Sequence, residues 1–370
     1  MTIERIELIL LQMPYRHYFE TSFGREINKT FILVKVYSKS VTGYGEVTAD
    51  RLPLYSYETN STAWTVLKEV FIPMIFDRKL EDPEDFIWSA SVYKGHPMAK
   101  AGLETALWDL KAKKAGVSLS RLYGASRLEV PAGVSIGIQD EIPQLVERVE
   151  EFRRSGYLRF KLKIKPGWDI NAVDAVRKAF PEAPLQVDAN AAYTIQDLDV
   201  LRELDQYGLM MLEQPFSGED LWDHSRLQKE IKTPLCLDES IVSAESARRA
   251  WEMGSARIIN IKTGRVGGII ESRRIHDFCR DRKIPVWCGG MLESGIGRAH
   301  NVHLAALPNF LFPNDISASR RYFETDLVEP EFELTRRGTI PVPEAPGIGV
   351  TPQEDRIRAA ELQRRVFTIP

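Results

Sequence analysis

The sequence predicts an α/β protein in which a (β/α) barrel follows a smaller α+β block, and three observations carry that expectation. From about residue 130, short apolar strands alternate strictly with helix-patterned segments, the order of repeated βα units with parallel strands. Ahead of residue 125 the order differs, with strands first and helices after, which argues for a separate α+β unit. The polar residues that close five successive apolar strands recur at spacings of 25, 25, 25 and 24 residues, a beat of one strand plus one helix per step.

Within the first block, residues 3–13 read as a strand, FILVKVY (31–37) as a second and residues 43–48 as a third after a turn at 40–43. Residues 17–28, with Phe19, Phe23 and Gly24 among polar neighbours, read as a mobile loop with apolar contacts. Helical patterns cover 62–71, 83–92 and 98–114, the last stopped by Gly116. The barrel strands are VPAGVSIGI, RFKLKI, PLQVDAN, LMMLEQP, PLCLDES, ARIINIKTG and IPVWCGG. Between them lie helical segments at 142–155, 170–180, 195–207, 223–231, 244–253 and 268–282. From about residue 336 a Pro- and Gly-rich stretch, PVPEAPGIGV, precedes a last helix and is expected to return to the first block.

Composition narrows the class. The chain has 370 residues, 44% hydrophobic and 27% charged, with a net charge of −3, so it can bury a large core and carries no electrostatic footprint for nucleic acid. Residues 6–11 are nearly all apolar, but Glu4 and Glu7 sit where a secretory signal carries positive charge, so the segment reads as a strand. No run approaches the ~18 apolar residues of a membrane span. Cys236, Cys279 and Cys288 have no metal or disulfide spacing, and the expectation is a cytoplasmic protein with reduced thiols.

The beat places Lys163, Asp188, Glu213, Asp238 and Lys262 at the carboxyl ends of five consecutive strands, the end where barrel enzymes build their sites. Three carboxylates on one rim repel unless a cation joins them, and an all-oxygen set favours Mg²⁺ or Mn²⁺. A lysine flanks the trio on either side, so the two ammonium groups face each other across the mouth. A nearby cation and a second lysine lower a lysine pKa from about 10.4, which makes proton abstraction feasible. A substrate carboxylate at the metal is then flanked by a base on each face of its α-carbon. Two other features carry no such chemistry. His300 and His303 read as one helix face, and the glycines 264, 267 and 268 read as a turn after a strand.

The motifs FKLKI (160–164), VDAN (187–190), EQP (213–215), LDES (237–240) and NIK (260–262) resemble the enolase superfamily, in its muconate-lactonizing subgroup. TSFG (21–24) and WCGGMLESGIGRAHN (287–301) are similar to the o-succinylbenzoate synthase / N-succinylamino acid racemase branch, also called N-acylamino acid racemases. The resemblance implies a modified TIM barrel, (β/α)7β, with an α+β capping domain. Its expected parts are a cap at 1–125, a barrel at 126–335 and a segment at 336–370 returning to the cap. It further implies Asp188, Glu213 and Asp238 as ligands of Mg²⁺ or Mn²⁺, and Lys163 and Lys262 as the acid/base pair. Lys161, Asn190 and Glu239 become assisting residues. Phe19, Phe23, Ser135, Arg265, Gly290, Met291 and Glu293 become substrate contacts, with the two phenylalanines on a capping loop. Thr263 departs from the pattern, since proline is common after the lysine of the sixth strand.

The family's two activities are dehydration of a cyclohexadiene carboxylate to o-succinylbenzoate, in menaquinone synthesis, and racemisation of N-succinylamino acids. Both fit lysines on opposite faces. The expected substrate is a small-molecule carboxylate, an N-acylamino acid or the cyclohexadiene carboxylate, and the expected assembly is a homo-oligomer without nucleic-acid or membrane partners. Muconate cycloisomerase and dipeptide epimerase share the lysines and stand as alternatives. Epimerases, though, usually carry DxD on the last strand, where this chain has Asp315-Ile316-Ser317. A non-enzymatic metal-binding scaffold has no need of two opposed lysines.

Overall fold

The computed structural model describes residues 1–78 and 80–369. Lys79, within the expected cap, and Pro370, at the end of the expected returning segment, lie outside the described residues. A four-stranded antiparallel sheet forms the cap, in the order Glu361–Thr368, Arg5–Thr21, Gly24–Ser38, Val41–Val47. The chain's last strand thus pairs with its first. Helix Pro97–Ala115 packs across this sheet and ends at Gly116, whose φ of 67° is the left-handed conformation that suits glycine. Close packing needs glycine on the strand side as well: a Cβ at Gly45 would lie 2.1 Å from the Gly102 carbonyl oxygen.

Two expectations for the cap change. Residues 17–28 are not an irregular loop; they are the end of a long hairpin, in which Phe19 pairs with Glu26 and Thr21 with Gly24. The helical run expected at 62–71 extends from Asn60 to Asp77 with a widened turn at Leu67–Phe71. Pro73, at the start of the following turn, has no N–H to continue the regular ladder, and the Ile72 N–H bonds back to the Leu67 carbonyl.

Seven parallel strands curl into the barrel wall in chain order: Val134–Ile136, Phe160–Lys163, Leu185–Asp188, Leu212–Glu213, Leu235–Leu237, Ile258–Ile261 and Val286–Cys288. The next segment, 309–315, closes the ring. It bridges the seventh strand at Val286–Phe310 and the chain ahead of the first strand at Ala132–Asn314. The helices between strands bury one face each, as at Leu145, Val149 and Phe152 on helix Ile142–Arg154.

Two buried cap carboxylates join the cap to the barrel. Glu104 accepts the N–H groups of Ile269 and Ile270 at the amino end of helix Ile269–Asp281. Glu46 accepts the Ser294 N–H at 3.2 Å, the Ser294 hydroxyl at 2.6 Å and the Gly297 N–H at 3.1 Å, at the amino end of helix Gly295–Ala305. Helix amino ends leave N–H groups without partners, and these carboxyl oxygens accept them, so each contact ties the cap to the barrel. His300 and His303 lie inside the second of these helices. Their ring nitrogens meet the Tyr44 and Ile348 carbonyls at 2.8 and 3.1 Å, as a packed helix face requires.

Candidate active site

Parallel pairing puts the expected residues side by side. Lys163 is opposite Asp188, and Asp188 is opposite Glu213. Asp238 follows the fifth strand and Lys262 the sixth. Carboxylate oxygens of Asp188, Glu213 and Asp238 all lie within 4.8 Å of one another, and all three residues are buried. Three buried acids at this spacing, offering only oxygen, form a donor set suited to a hard divalent cation.

Cationic side chains surround the trio. The Lys163 Nζ lies 2.6 Å from Asp188 Oδ2 and donates to Asn190 Oδ1 at 2.6 Å. Asn190 in turn donates its amide to Glu239 at 3.1 Å. On the far side, the Lys262 Nζ lies 2.7 Å from Asp238 Oδ2. Lys161, one layer deeper, reaches Asp188 at 3.1 Å, Glu213 at 3.2 Å and Asp315 at 2.6 Å. Glu213 is also held by Gln186 at 2.5 Å and Asn260 at 2.9 Å.

The two flanking lysines are shifted in opposite directions. Burial pushes the Lys163 ammonium below the ordinary lysine value, against the pull of Asp188. Burial opposes charge on Lys262 as well, but Tyr55, Glu239, Glu213 and Asp188 outweigh it and hold that ammonium above the ordinary value. Burial, then the Asp188 charge, pushes the Glu239 carboxyl up to about 7.

The pocket over these groups spans about 660 Å³, open solvent included, and is lined by both barrel and cap. Its floor includes Lys161, Lys163, Asn190 and Lys262, and its walls include Ser135, Gly290, Met291, Phe19 and Phe23. The Ser135 hydroxyl oxygen is buried without a partner. Phe19 meets the Tyr322 ring edge-on at 6.3 Å, so the hairpin end is packed against the barrel. Arg265 and Glu293, expected as substrate contacts, do not line the pocket. The Arg265 guanidinium is taken up behind it by Asp238 and by the Ile241 and Asn260 carbonyls, and Glu293 accepts the Asn301 amide at 2.9 Å.

Further residues of the site were not among the expected site residues. The Tyr55 hydroxyl, from the cap, donates to Asp238 at 3.0 Å and accepts from Lys262 at 3.3 Å. Asp315 takes Lys161 on one side and Arg159 at 2.7 Å on the other. Strand alternation could have found Arg159, which stands two and four residues before the lysines of the same strand and so shares their face. Asp315 was singled out only as the first acid of the last-strand stretch 315–317, without this role, and nothing local in the sequence marks Tyr55.

The sequence matches two family descriptions: "Mandelate racemase / muconate lactonizing enzyme, N-terminal domain" over residues 5–124 and "Enolase C-terminal domain-like" over residues 144–356. An o-succinylbenzoate synthase of Geobacillus kaustophilus is 50% identical over 348 residues, 94% of this chain and 92% of the relative. An N-succinylamino acid racemase of Thermus thermophilus is 47% identical over 350 residues, 95% of each chain. A solved enolase-superfamily structure from Listeria innocua superposes with a TM-score of 0.95 at 42% identity, covering 100% of both chains. With both parts of the fold and the carboxylate–lysine rim in place, the chain belongs to the enolase superfamily, in the group of mandelate racemases and muconate lactonizing enzymes.

Proposed function

We infer that this enzyme removes the proton next to a substrate carboxylate, acting as an o-succinylbenzoate synthase, an N-succinylamino acid racemase, or both. The observation that carries this reading is the pair Lys163 and Lys262, facing one pocket from either side of the carboxylate trio. Asp188, Glu213 and Asp238 are the residues that would hold Mg²⁺ or Mn²⁺, whose charge supplies attraction for the substrate carboxylate and for the negative charge that grows on it as the α-proton leaves.

The chain's own groups do the proton work. In racemisation, the neutral Lys163 amine takes the α-proton from one face, and the Lys262 ammonium delivers a proton to the other. The reverse reaction exchanges those roles. In dehydration, Lys163 takes the α-proton and returns it to the departing hydroxyl on the same face, so water leaves, while Lys262 stays charged and offsets the developing negative charge. Asn190 holds the Lys163 amine in place through its 2.6 Å contact. Lys161, fixed by Asp315, adds fixed positive charge at the floor. The cap covers the site and limits water at the reacting carbon.

Turnover tests the reading directly. Purified enzyme with Mg²⁺ is expected to convert the cyclohexadiene carboxylate, followed by ultraviolet absorbance, or to change the optical rotation of N-succinylamino acids. Excess chelator is expected to abolish both, and added Mg²⁺ or Mn²⁺ to restore them. Full activity in excess chelator contradicts the metal-dependent reading.

A further inference from the structure

The ammonium of Lys262 is held by Asp238 and Tyr55, but its backbone is held by a second set of contacts outside the pocket. Lys262 follows the sixth strand and caps a single turn, Thr263–Val266. Thr263, the first residue of that turn, is buried, and its hydroxyl donates to the Asn301 side-chain oxygen at 3.0 Å. Asn301 is buried on helix Gly295–Ala305, and its amide nitrogen donates to Glu293 Oε1 at 2.9 Å. A carboxylate only accepts, so Glu293 fixes which end of the Asn301 amide faces Thr263, and the hydroxyl is the donor. The amino end of the same helix is tied to the cap through Glu46. Two residues beyond Glu46, Thr48 presses on the turn itself: a Cβ at Gly264 would lie 2.2 Å from the Thr48 hydroxyl oxygen. The turn after Lys262 is thus clamped between one barrel helix and the cap.

Lys163 has no share in these contacts. The chain after it is held by the Asp188 carbonyl, which accepts the Ile164 N–H at 2.9 Å, and by the paired backbones of Lys165 and Trp168. The two lysines are therefore positioned by separate devices. At the first residue of a turn, a proline would preset the backbone through its ring. Threonine has no such constraint, and the bond to Asn301 supplies one. We propose that Thr263 is a positioning residue for Lys262. Acting through Asn301 and Glu293, it sets where the lysine backbone sits, so proton transfer on the Lys262 face depends on it and transfer on the Lys163 face does not. The proposal rests on the two-base reading of the site. Proton transfer needs the donor and the α-carbon in close register, so a small shift of the Lys262 backbone is felt in rate rather than in substrate affinity.

The test follows α-proton exchange of each enantiomer of N-succinylphenylalanine in D₂O by NMR. Thr263→Val keeps the branched shape and loses the hydroxyl. Exchange at saturating substrate is expected to fall about tenfold for one enantiomer, the one that Lys262→Ala also stops, and to stay within about twofold for the other, with KM little changed. Thr263→Ser keeps the hydroxyl and is expected to restore the wild-type ratio of the two rates. Equal losses for both enantiomers, or a ratio that Thr263→Ser does not restore, overturn the proposal. Should Thr263→Val fail to fold, Asn301→Ala breaks the same bond from the helix side and is held to the same one-sided result. If the wild type exchanges neither enantiomer while dehydration proceeds, the two-base reading fails, and dehydration carries the test of Thr263. Thr263→Val is then expected to lower the dehydration rate about threefold in the wild type and not at all in a Lys262→Ala background, because its effect passes through that lysine. The same loss in both backgrounds, or no loss in either, overturns the proposal.

Discussion

Replacing Glu46 with Gln should remove a pH dependence of stability that the fold builds into the joint between cap and barrel. Glu46 is buried and accepts three hydrogen bonds at the amino end of helix Gly295–Ala305, all of which favour its charged form. Burial outweighs them, with the neighbouring Glu293 adding to the effect, and pushes the carboxyl from 4.5 up to about 8. Because the folded value lies above the unfolded one, the folded state binds the proton more tightly. The contribution is fully present below about pH 4.5 and is lost as pH rises through about 8. Over that interval the wild type should lose on the order of 5 kcal/mol from this group, at ~1.4 kcal/mol per tenfold change in proton affinity. In Glu46→Gln the amide keeps an acceptor oxygen but has no titrating proton. Urea unfolding of both proteins from about pH 5 to 9 should therefore give a stability difference that moves steadily in favour of the variant as pH rises. Parallel curves across that range would refute the reasoning, because the other buried carboxylates are common to both proteins.

Two further outcomes follow from the site. Changing Phe19 and Phe23 to Ala should raise KM and alter side-chain preference while leaving metal affinity unchanged, since both line the pocket wall and neither touches the carboxylate trio; steady-state kinetics across several acylamino acids, with metal titration, checks this. Asp315→Asn should cost roughly 3–5 kcal/mol of stability by leaving Arg159 and Lys161 short of a buried counter-charge, read as a lower midpoint in denaturant.

The barrel rim was legible in the sequence because each strand is brief, apolar and closed by one polar residue, so the beat of Lys163, Asp188, Glu213, Asp238 and Lys262 reports the fold and the site together. The layer beneath obeys the two-residue alternation of strands: Gln186 stands two before Asp188 and Asn260 two before Lys262, and both bind Glu213. The hairpin end was less legible. Its polar residues lie on both faces, and pairing across the turn, rather than apolar alternation, defines its strands. Tyr55 was invisible for a different reason, and so were the partners of Asp315. Tyr55 and Asp315 each act through partners far away in the chain, and only the closed barrel with its cap brings them to Asp238 and Lys161.

The central claim, two lysines acting on opposite faces of one α-carbon, is tested most directly by enantiomer-resolved proton exchange. Single Lys163→Ala and Lys262→Ala variants are incubated with each enantiomer of an N-succinylamino acid in D₂O, alongside the milder Lys→Arg replacements, and the α-proton is followed by NMR. Both Ala variants are expected to stop racemisation. Dehydration should be lost with Lys163 and should fall with Lys262 by the ~3–4 kcal/mol typical of removing one electrostatic group from a transition state. Where an Arg variant retains exchange, it should do so for one enantiomer only, and the surviving enantiomer should switch between the two sites. Racemisation at near wild-type rate in either Ala variant, or the same enantiomer surviving at both sites, contradicts the opposed two-base arrangement.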